Sequence, residues 1–255
     1  MIYPLIDLAG LGLVGLAAGF IDTIAGGGGL LTVPSLLLAG LPTIAALATN
    51  KLQSSSGTLT ASLTMIHKKQ VKLPTVAGAF AMSFTGSLAG CWLVQHIPPH
   101  HLDVVIPLVL TGIAIYFVRN KTAGEHLGPP RIGIWLYRLC VVPVIGFYDG
   151  FLGPGTGSFF GLSGVALQGE TLVAATAKAK LLNFASNSAA LLAFLASGKI
   201  VWLVGLAMIA GQITGAYLGA HVMIRGGARL IRPLIVVMCL AILLRYAVQK
   251  GLLGL

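Results

Sequence analysis

Charge is the property that this sequence has least of. Asp, Glu, Lys and Arg make up only 9% of its 255 residues, whereas about 25% of a soluble domain is charged. Hydrophobic residues make up 56%, and the mean hydropathy is +0.94. This composition excludes an ordinary soluble domain. It predicts a multi-pass integral membrane protein in which nearly the whole chain lies in the lipid bilayer.

Acidic residues are especially scarce, with 6 Asp and Glu against 16 Lys and Arg. In a soluble protein the resulting net charge of +10 would suggest a nucleic-acid partner, but aromatic residues do not interleave with the basic ones here. Lys and Arg in short loops instead set the orientation of a membrane protein. We therefore predict no nucleic-acid partner.

Motifs of catalytic and metal sites are missing as well. No Walker A, GxSxG or HExxH pattern occurs, and the three scattered cysteines show no CxxC spacing. His96, His100, His101 and Asp103 lie close together, but a proline-rich loop without a helix to fix them favours a solvated or structural role. The sequence therefore predicts no enzyme, no cofactor and no metal site.

The sequence does contain long apolar segments without the in–out alternation of barrel strands, which predicts an all-α polytopic membrane protein. These segments are 5–25, 29–41, 43–66, 73–95, 102–118, 132–152, 156–168, 171–196, 200–223 and 230–248. Two of them, 29–41 and 156–168, are too short to cross a hydrocarbon core of ~30 Å comfortably.

Each short segment follows a carboxylate and a run of glycines. Asp22 precedes Gly26, Gly27, Gly28 and Gly29, and Asp149 precedes Gly153, Gly155, Thr156 and Gly157. A charge in hydrocarbon costs at least ~2.5–3.5 kcal/mol, and each glycine weakens a helix by ~1 kcal/mol relative to alanine. We therefore predict two helix–break–helix units that line a cavity. Whether these units are re-entrant or fully spanning stays open.

Two interpretations of each break stay open. The N–H groups of successive glycines at the start of a new helix form an anion-binding nest, or the glycines serve as a hinge or a close packing contact. Asp22 and Asp149 either cap the break by accepting backbone N–H bonds, or exchange protons and gate the cavity. The two roles of the carboxylates are compatible with each other.

The chain repeats itself at a nearly constant interval, about half its length. Asp149 in the second half matches Asp22 in the first, and the segment 175–180 (ATAKAK) matches the segment 46–51 (ALATNK) at almost the same separation. Such an interval indicates a duplicated unit. The predicted parts are a first membrane repeat at 1–120, a polar cytoplasmic link at 121–130 and a second membrane repeat at 131–255.

Loop charges indicate how the halves are oriented. Lys68, Lys69 and Lys72 mark one loop as cytoplasmic, whereas the matching loop of the second half carries only Lys199. We therefore predict two inverted repeats, each with a helix–break–helix unit followed by three membrane helices. A parallel arrangement of the halves stays open, because the basic residues near the C-terminus fit the inverted scheme less well.

A polar helix face follows each break. One face has the spacing i, i+3, i+7 at Lys51, Ser54 and Thr58, and the other repeats it at Lys180, Asn183 and Asn187, with Asn50 and Lys178 in the same matched stretches. Such a face turns towards the interior of a helix bundle, although the lysines alone could also snorkel to the membrane surface. Together with the breaks, these residues predict a cationic, donor-rich cavity that suits a small anion.

The segments 19–34 (GFIDTIAGGGGLLTVP) and 46–53 (ALATNKLQ) resemble the sulfite exporter TauE/SafE family of bacterial membrane transporters. The resemblance covers essentially the whole chain. It implies a protein of the bacterial cytoplasmic membrane that moves sulfur-containing anions or organosulfonates. The second half departs from the first, with Lys178 and Lys180 where the first half has Thr49-Asn50-Lys51, so the substrate itself does not follow from the resemblance.

These observations predict a secondary transporter that carries a small anion by alternating access. The expected substrate is a sulfur oxyanion or organosulfonate of the sulfite, thiosulfate or sulfoacetate type, with Lys51 and Lys180 as countercharges. Asp22 and Asp149 would gate the cavity or couple transport to protons. A passive anion channel is the alternative, and an intramembrane enzyme or a lipid-handling protein fits less well. The expected partners are the anion and the bilayer, and the formation of a homo-oligomer stays open.

Overall fold

The computed structural model describes residues 5–96 and 126–249, and the predicted apolar segment 102–118 lies outside these ranges. Within them the backbone forms helices joined by turns and contains no strand, so the predicted all-α class is confirmed. The helices are α1 (Leu5–Ala25), α2 (Gly29–Leu38), α3 (Thr43–His67), α4 (Leu73–Val94), α5 (Ile134–Phe151), α6 (Thr156–Gln168), α7 (Leu172–Ser197) and α8 (Trp202–Gln249).

Two of these helices change geometry where the sequence contains proline or glycine. α5 has a π-helical stretch at Tyr137–Val141, immediately before the Val142–Phe151 part, whose second residue is Pro143. The proline ring removes one backbone donor, which favours such a local change. α8 is helical on both sides of Gly227, whose φ is 55° and ψ is −152°. The backbone is not helical at Gly227 itself, so the predicted segments 200–223 and 230–248 correspond to the two helical parts of α8 on either side of this kink.

In the part of the chain that the structure describes, five helices are long and apolar enough to cross a membrane. They are α1, α4, α5, α7 and the Trp202–Gly227 part of α8. α3 has 25 residues but is not one of the five, because its middle is rich in Ser, Thr, Asn and Gln. It packs between α7 and α8, where other helices shield its polar residues.

Residue contacts fix the relative directions of neighbouring helices. α8 runs parallel to α1 and α3, and α4 runs parallel to α5 and α7. In each of these pairs, a residue later in one helix contacts a residue later in the other. The contacts are Gly12–Ala207 and Gly19–Gln212 (α1 and α8), Thr49–Val201 and Gly57–Gln212 (α3 and α8), Gly86–Pro143 and Gly90–Phe147 (α4 and α5), and Ser83–Leu182 and Cys91–Ala190 (α4 and α7).

The two sets of helices run antiparallel where α3 meets α7. Met65, near the end of α3, lies in one core cluster with Leu172 at the start of α7. Leu47, near the start of α3, packs in another cluster with Phe194 near the end of α7. Consequently α1, α3 and α8 point in one direction, and α4, α5 and α7 point in the other.

Close approach between helices of the two predicted halves depends on glycine. A Cβ atom on Gly19 of α1 would overlap the α8 backbone at Gln212, and one on Gly150 of α5 would overlap the α4 backbone at Ser87. Small residues at such contacts let helix backbones pack directly against each other. Each of these two contacts joins a helix of the first half to a helix of the second.

Each short helix turns back along the long helix that precedes it. Leu36, near the end of α2, shares a core cluster with Leu11 near the start of α1. Arg131, just before α5, donates its backbone N–H to Leu167 O near the end of α6, at 2.8 Å. The pairs α1–α2 and α5–α6 are therefore helical hairpins, and the two glycine breaks form their tips.

Candidate functional site

The tips of the two hairpins meet inside the protein. The first break (residues 26–28) follows α1, and the second break (residues 152–155) follows α5. Gly26 has φ 77°, a left-handed conformation that glycine adopts without strain, and it lies directly against Gly157 and Ser158. The Ser158 hydroxyl also donates to the last carbonyl of α1. The two interruptions thus come from opposite halves of the chain and form one contact.

The two carboxylates bond at their breaks in different ways, and only Asp22 accepts a backbone N–H bond there. Asp22 Oδ1 accepts a hydrogen bond from Gly28 N at 3.0 Å, and Asp22 O accepts one from Gly26 N at 2.7 Å. Asp149 Oδ1 accepts a hydrogen bond from the Thr156 hydroxyl at 2.9 Å. Asp22 therefore caps its break as the capping interpretation expects, whereas Asp149 ties the end of α5 to the first residue of α6 through a side-chain bond.

Several backbone N–H groups of the breaks also bond to the chain itself. In the second break, Gly153 N donates to Tyr148 O at 3.2 Å, and Thr156 N donates to Gly153 O at 3.3 Å. With Gly26 N and Gly28 N engaged by Asp22, these donors are satisfied internally. The predicted anion nest at Gly26–Gly29 and at Gly153–Gly157 stays a prediction, and these four donors could serve it only if their present bonds exchange.

Two buried lysines form ion pairs that cross between the halves. Lys51 Nζ on α3 lies 2.8 Å from Asp149 Oδ1, and both side chains are 2% exposed. Lys180 Nζ on α7 lies 3.8 Å from Asp22 Oδ2 and donates to the Asp22 carbonyl. Each lysine of one half thus meets the aspartate of the other half, and buried charges persist in such surroundings only when they are paired.

This reciprocal pairing was not predicted from the sequence, although the duplication of one lysine and one aspartate in each half could have indicated it. The lysines were expected to face an anion, and the aspartates were expected to gate the cavity. The duplication relates Lys51 to Lys180 and Asp22 to Asp149, at nearly the same separation along the chain. A lysine and an aspartate in each half, both costly alone in the membrane, are natural partners of one another.

Amides on α3 and α7 extend the network from Lys51. Lys51 Nζ donates to Asn187 Oδ1 at 3.0 Å, and Asn187 Nδ2 donates to Asn183 Oδ1 at 3.1 Å. Asn50 Oδ1 accepts from Gln53 Nε2 at 2.8 Å. The polar face predicted on each of these helices is therefore turned inwards, and both faces border the same space.

Around Asn50, two further polar residues were missed by sequence reasoning. Thr32 on α2 donates to Asn50 Oδ1, and Gln53 is fully buried with no hydrogen-bond partner for its Oε1. The i, i+3 spacing of Asn50 and Gln53 on one helix could have indicated their contact. Ser54 also donates to Asn50 Oδ1, at 3.3 Å.

A small cavity of about 10 Å³ lies at the centre of this arrangement. Its lining comprises Asp22, Gly26, Gly29, Asn50, Lys51, Ser54, Asp149, Gly153, Asn183 and Asn187, and each of these belongs to the site predicted from the sequence. A volume of ~10–15 Å³ holds about one water molecule. A sulfur oxyanion is larger, so it could enter only if the side chains that surround the cavity move apart.

The remaining predicted residues lie beside this cavity or away from it. Lys180 Nζ lies against Gly157, whose hypothetical Cβ would be 3.1 Å from it. Gly27, Gly28, Gly155 and Thr156 belong to the breaks or adjoin them. Lys178 does not join this group: its side chain is 35% exposed, and it pairs with Glu170 in a separate groove beside Arg138.

Metal binding receives no support from the described residues. Among residues 5–96 and 126–249, no group of three or more His, Cys, Asp or Glu side chains could hold a metal ion. His100, His101 and Asp103, which the sequence places near His96, lie outside the described residues.

Comparisons with known proteins agree with a membrane transporter. The profile of the family described as sulfite exporter TauE/SafE matches residues 11–246. A protein of Haemophilus influenzae named "Probable membrane transporter protein" is 43% identical over 244 residues, which is 96% of this chain and 96% of that protein.

Two further relatives carry similar names. "Probable membrane transporter protein YfcA" of Escherichia coli is 43% identical over 237 residues, 93% of this chain and 88% of that protein. "Probable membrane transporter protein ORF9" of Sinorhizobium sp. is 41% identical over 238 residues, 93% of this chain and 91% of that protein. No solved structure matches the chain.

Proposed function

The chain belongs to the sulfite exporter TauE/SafE family of membrane transporters, and from this membership we propose that it is a secondary transporter of a small anion. The substrate we propose is a sulfur oxyanion or an organosulfonate of the sulfite, thiosulfate or sulfoacetate type. The membrane we propose is the cytoplasmic membrane of a bacterium, since the named relatives are bacterial proteins.

The observation that carries this proposal is the buried pair of lysines at the contact between the two breaks. Lys51 and Lys180 are 2% and 0% exposed, and both are engaged by oxygen atoms of the aspartates. Lysine ammonium groups at such depth require anionic or carbonyl partners, and an oxyanion supplies several acceptor oxygens at once. Asn183 and Asn187 would add neutral hydrogen bonds that orient the substrate.

Inverted repeats are the architecture that we propose for transport. Helices that correspond in the two halves, α1 and α5, α3 and α7, α4 and α8, have opposite directions in the described residues. A two-fold axis in the membrane plane reverses corresponding helices, whereas an axis along the membrane normal would leave them parallel. The α1–α2 and α5–α6 hairpins would then enter the membrane from opposite sides as re-entrant units.

Alternating access follows from this architecture. In inverted-repeat transporters, one half rocks against the other around a central site. The cavity of about 10 Å³ is bordered by both breaks and by α3 and α7. Small movements of the hairpins against α3 and α7 would open this space to one side of the membrane at a time. Asp22 and Asp149 are candidates for gating or proton coupling, because they lie where the two halves meet.

Solute counterflow in proteoliposomes tests the proposal. Vesicles preloaded with unlabelled sulfite, thiosulfate, sulfoacetate or sulfate should accumulate the same labelled anion transiently, with a rate that saturates at high concentration. Simple carboxylates serve as the comparison anions. Non-saturating anion conductance in a planar bilayer, without counterflow, would instead identify a passive channel and would contradict a carrier.

A further inference from the structure

We propose that the Asp149 carboxylate occupies the position of the substrate's anionic group on Lys51, and that the substrate displaces it while Asp149 takes up a proton. Its counterpart Asp22, by contrast, serves mainly to hold the first break. This inference rests on the proposed anion transport, and it assigns different tasks to two residues that the duplication relates to each other.

The surroundings of Asp149 are those of a displaceable ligand. Its Oδ1 accepts hydrogen bonds from Lys51 Nζ at 2.8 Å and from the Thr156 hydroxyl at 2.9 Å. Its Oδ2 is buried and has no hydrogen-bond partner. One carboxylate oxygen therefore makes all the contacts, and the bond to Lys51 is of the charge-assisted kind that an incoming oxyanion can replace.

The surroundings of Asp22 differ in the hydrogen-bond partner of its Oδ1, in the distance to the lysine and in exposure. Its Oδ1 accepts the backbone N–H of Gly28, and its Oδ2 is 3.8 Å from Lys180 Nζ, beyond hydrogen-bond distance. Lys180 donates to the carbonyl oxygen of Asp22 rather than to its carboxylate. The Asp22 side chain is 14% exposed, compared with 2% for Asp149. Lys180 thus keeps a partner even without the Asp22 carboxylate.

Lys51 is the cation that decides the charge of Asp149. Lys51 from α3, Cys91 from α4 and the adjacent Tyr148 are titratable groups near Asp149, and Asp22 lies with its partner Lys180 at the same contact between the breaks. Lys51 is the cation that pairs with Asp149, whereas Lys180 pairs with Asp22. If an anion binds Lys51, the Asp149 carboxylate therefore loses its countercharge.

Space and charge then couple substrate binding to protonation. The cavity of about 10 Å³ has no room for an oxyanion in this arrangement, and movement of the Asp149 side chain away from Lys51 would free both the space and the cation for it. A buried carboxylate without a cation is strongly disfavoured, and protonation relieves this cost. Before binding, Lys51 is ammonium and Asp149 is carboxylate. Afterwards, Lys51 holds the substrate and Asp149 holds a proton, so the site takes up one proton for each anion that it binds.

Proton uptake during binding tests this inference. Sulfoacetate and thiosulfate do not titrate near neutral pH, and they are added to the purified protein in weakly buffered detergent containing a pH indicator. We expect about one proton to be taken up per bound anion by the wild type. Asp149→Asn should bind the anion about tenfold more tightly and take up no proton, because the competing carboxylate is gone. Glu170→Gln removes a carboxylate that pairs with Lys178 outside this cavity, so it is the matched control and should still take up about one proton. Asp22→Asn tests the difference between the two aspartates, and we expect it to take up about one proton as well.

The outcomes separate this inference from the proposed function. Anion binding by the wild type without proton uptake would overturn the inference and leave anion transport intact. Equal proton uptake by Asp149→Asn and the wild type would also overturn it. If Asp149→Asn does not fold, the wild-type proton count decides alone. Failure of the wild type to bind any of the tested anions would overturn the proposed function, and this inference with it.

Discussion

Lys51 and Asp149 each expose only 2% of their side chains, and their charged atoms lie 2.8 Å apart. Taking two charges out of water costs several kcal/mol per ion in real proteins, and good geometry with further hydrogen bonds offsets this cost. In addition, Lys51 donates to Asn187 Oδ1, and Asp149 accepts from the Thr156 hydroxyl. The pair therefore stabilises the contact between the two halves only while both partners are present.

A double-mutant cycle measures this dependence at the residue scale. Lys51→Met should lower the stability by ~3–5 kcal/mol, because it leaves the Asp149 charge buried without its partner. Adding Asp149→Asn should restore most of that loss, since no unpaired charge remains. Unfolding of the wild type, the two single variants and the double variant in detergent provides the four values. Simple addition of the two single losses would contradict a direct pairing.

The residues that line the cavity could be predicted from the sequence. The match between the two halves did not, by itself, show that Lys180 lies at the breaks and Lys178 does not. Both lysines lie in the segment that matches 46–51. They are two positions apart on α7, which turns them about 200° away from each other at 3.6 residues per turn. Lys180 consequently faces the breaks, and Lys178 pairs with Glu170 on another side.

At the scale of elements, the contact between the two breaks connects the hairpins. Gly26 and Gly40 both have positive φ, 77° and 85° respectively. A Cβ on Gly26 would overlap Gly157 and Ser158, whereas one on Gly40 would meet nothing within 4 Å. Both positions therefore favour glycine because of their left-handed backbone conformation. Only Gly26 also needs to lack a side chain, because the other tip packs against it.

Alanine substitutions at these two glycines separate the two requirements. Gly40→Ala should cost ~1–2 kcal/mol, the strain of a left-handed alanine. Gly26→Ala should cost a further ~1–3 kcal/mol, because the methyl group forces the two tips apart. Thermal unfolding in detergent compares the two variants. Equal losses of stability would mean that the tips do not pack as closely as the structure indicates.

The existence of the breaks could be predicted from sequence, because a carboxylate followed by glycines disfavours a continuous helix in the membrane. The direction of the chain after each break could not, since a short apolar helix is compatible with either a hairpin or a bent crossing. Contacts distant in sequence decide it, such as the cluster shared by Leu11 and Leu36. The kink in α8 falls at Gly227, between the separately predicted segments 200–223 and 230–248.

At the scale of the whole molecule, opposite helix directions determine where the loops emerge. The C-terminal ends of α3 and α7 carry Lys68 and Lys199, which are both exposed. α3 and α7 are antiparallel, so their ends should lie on opposite sides of the membrane. The counts of loop charge lead to the same expectation, whereas the relative directions of the helices could be found only from the contacts between them.

Single-cysteine labelling tests this topology. In a variant with Cys91, Cys140 and Cys239 replaced, Lys199→Cys should react with an impermeant maleimide added outside intact cells. Lys68→Cys should react only after the membrane is permeabilised, because its basic loop is expected in the cytoplasm. Labelling of both positions from the same side would contradict inverted repeats.

The central claim is that the buried lysines at the contact between the breaks bind the transported anion. Its most direct test is solute counterflow with reconstituted wild type, the folded Lys51→Met/Asp149→Asn double variant and Lys178→Met. We predict saturable counterflow of a sulfur oxyanion or organosulfonate by the wild type and by Lys178→Met, and none by the double variant. Counterflow by the double variant at the wild-type rate would contradict the claim.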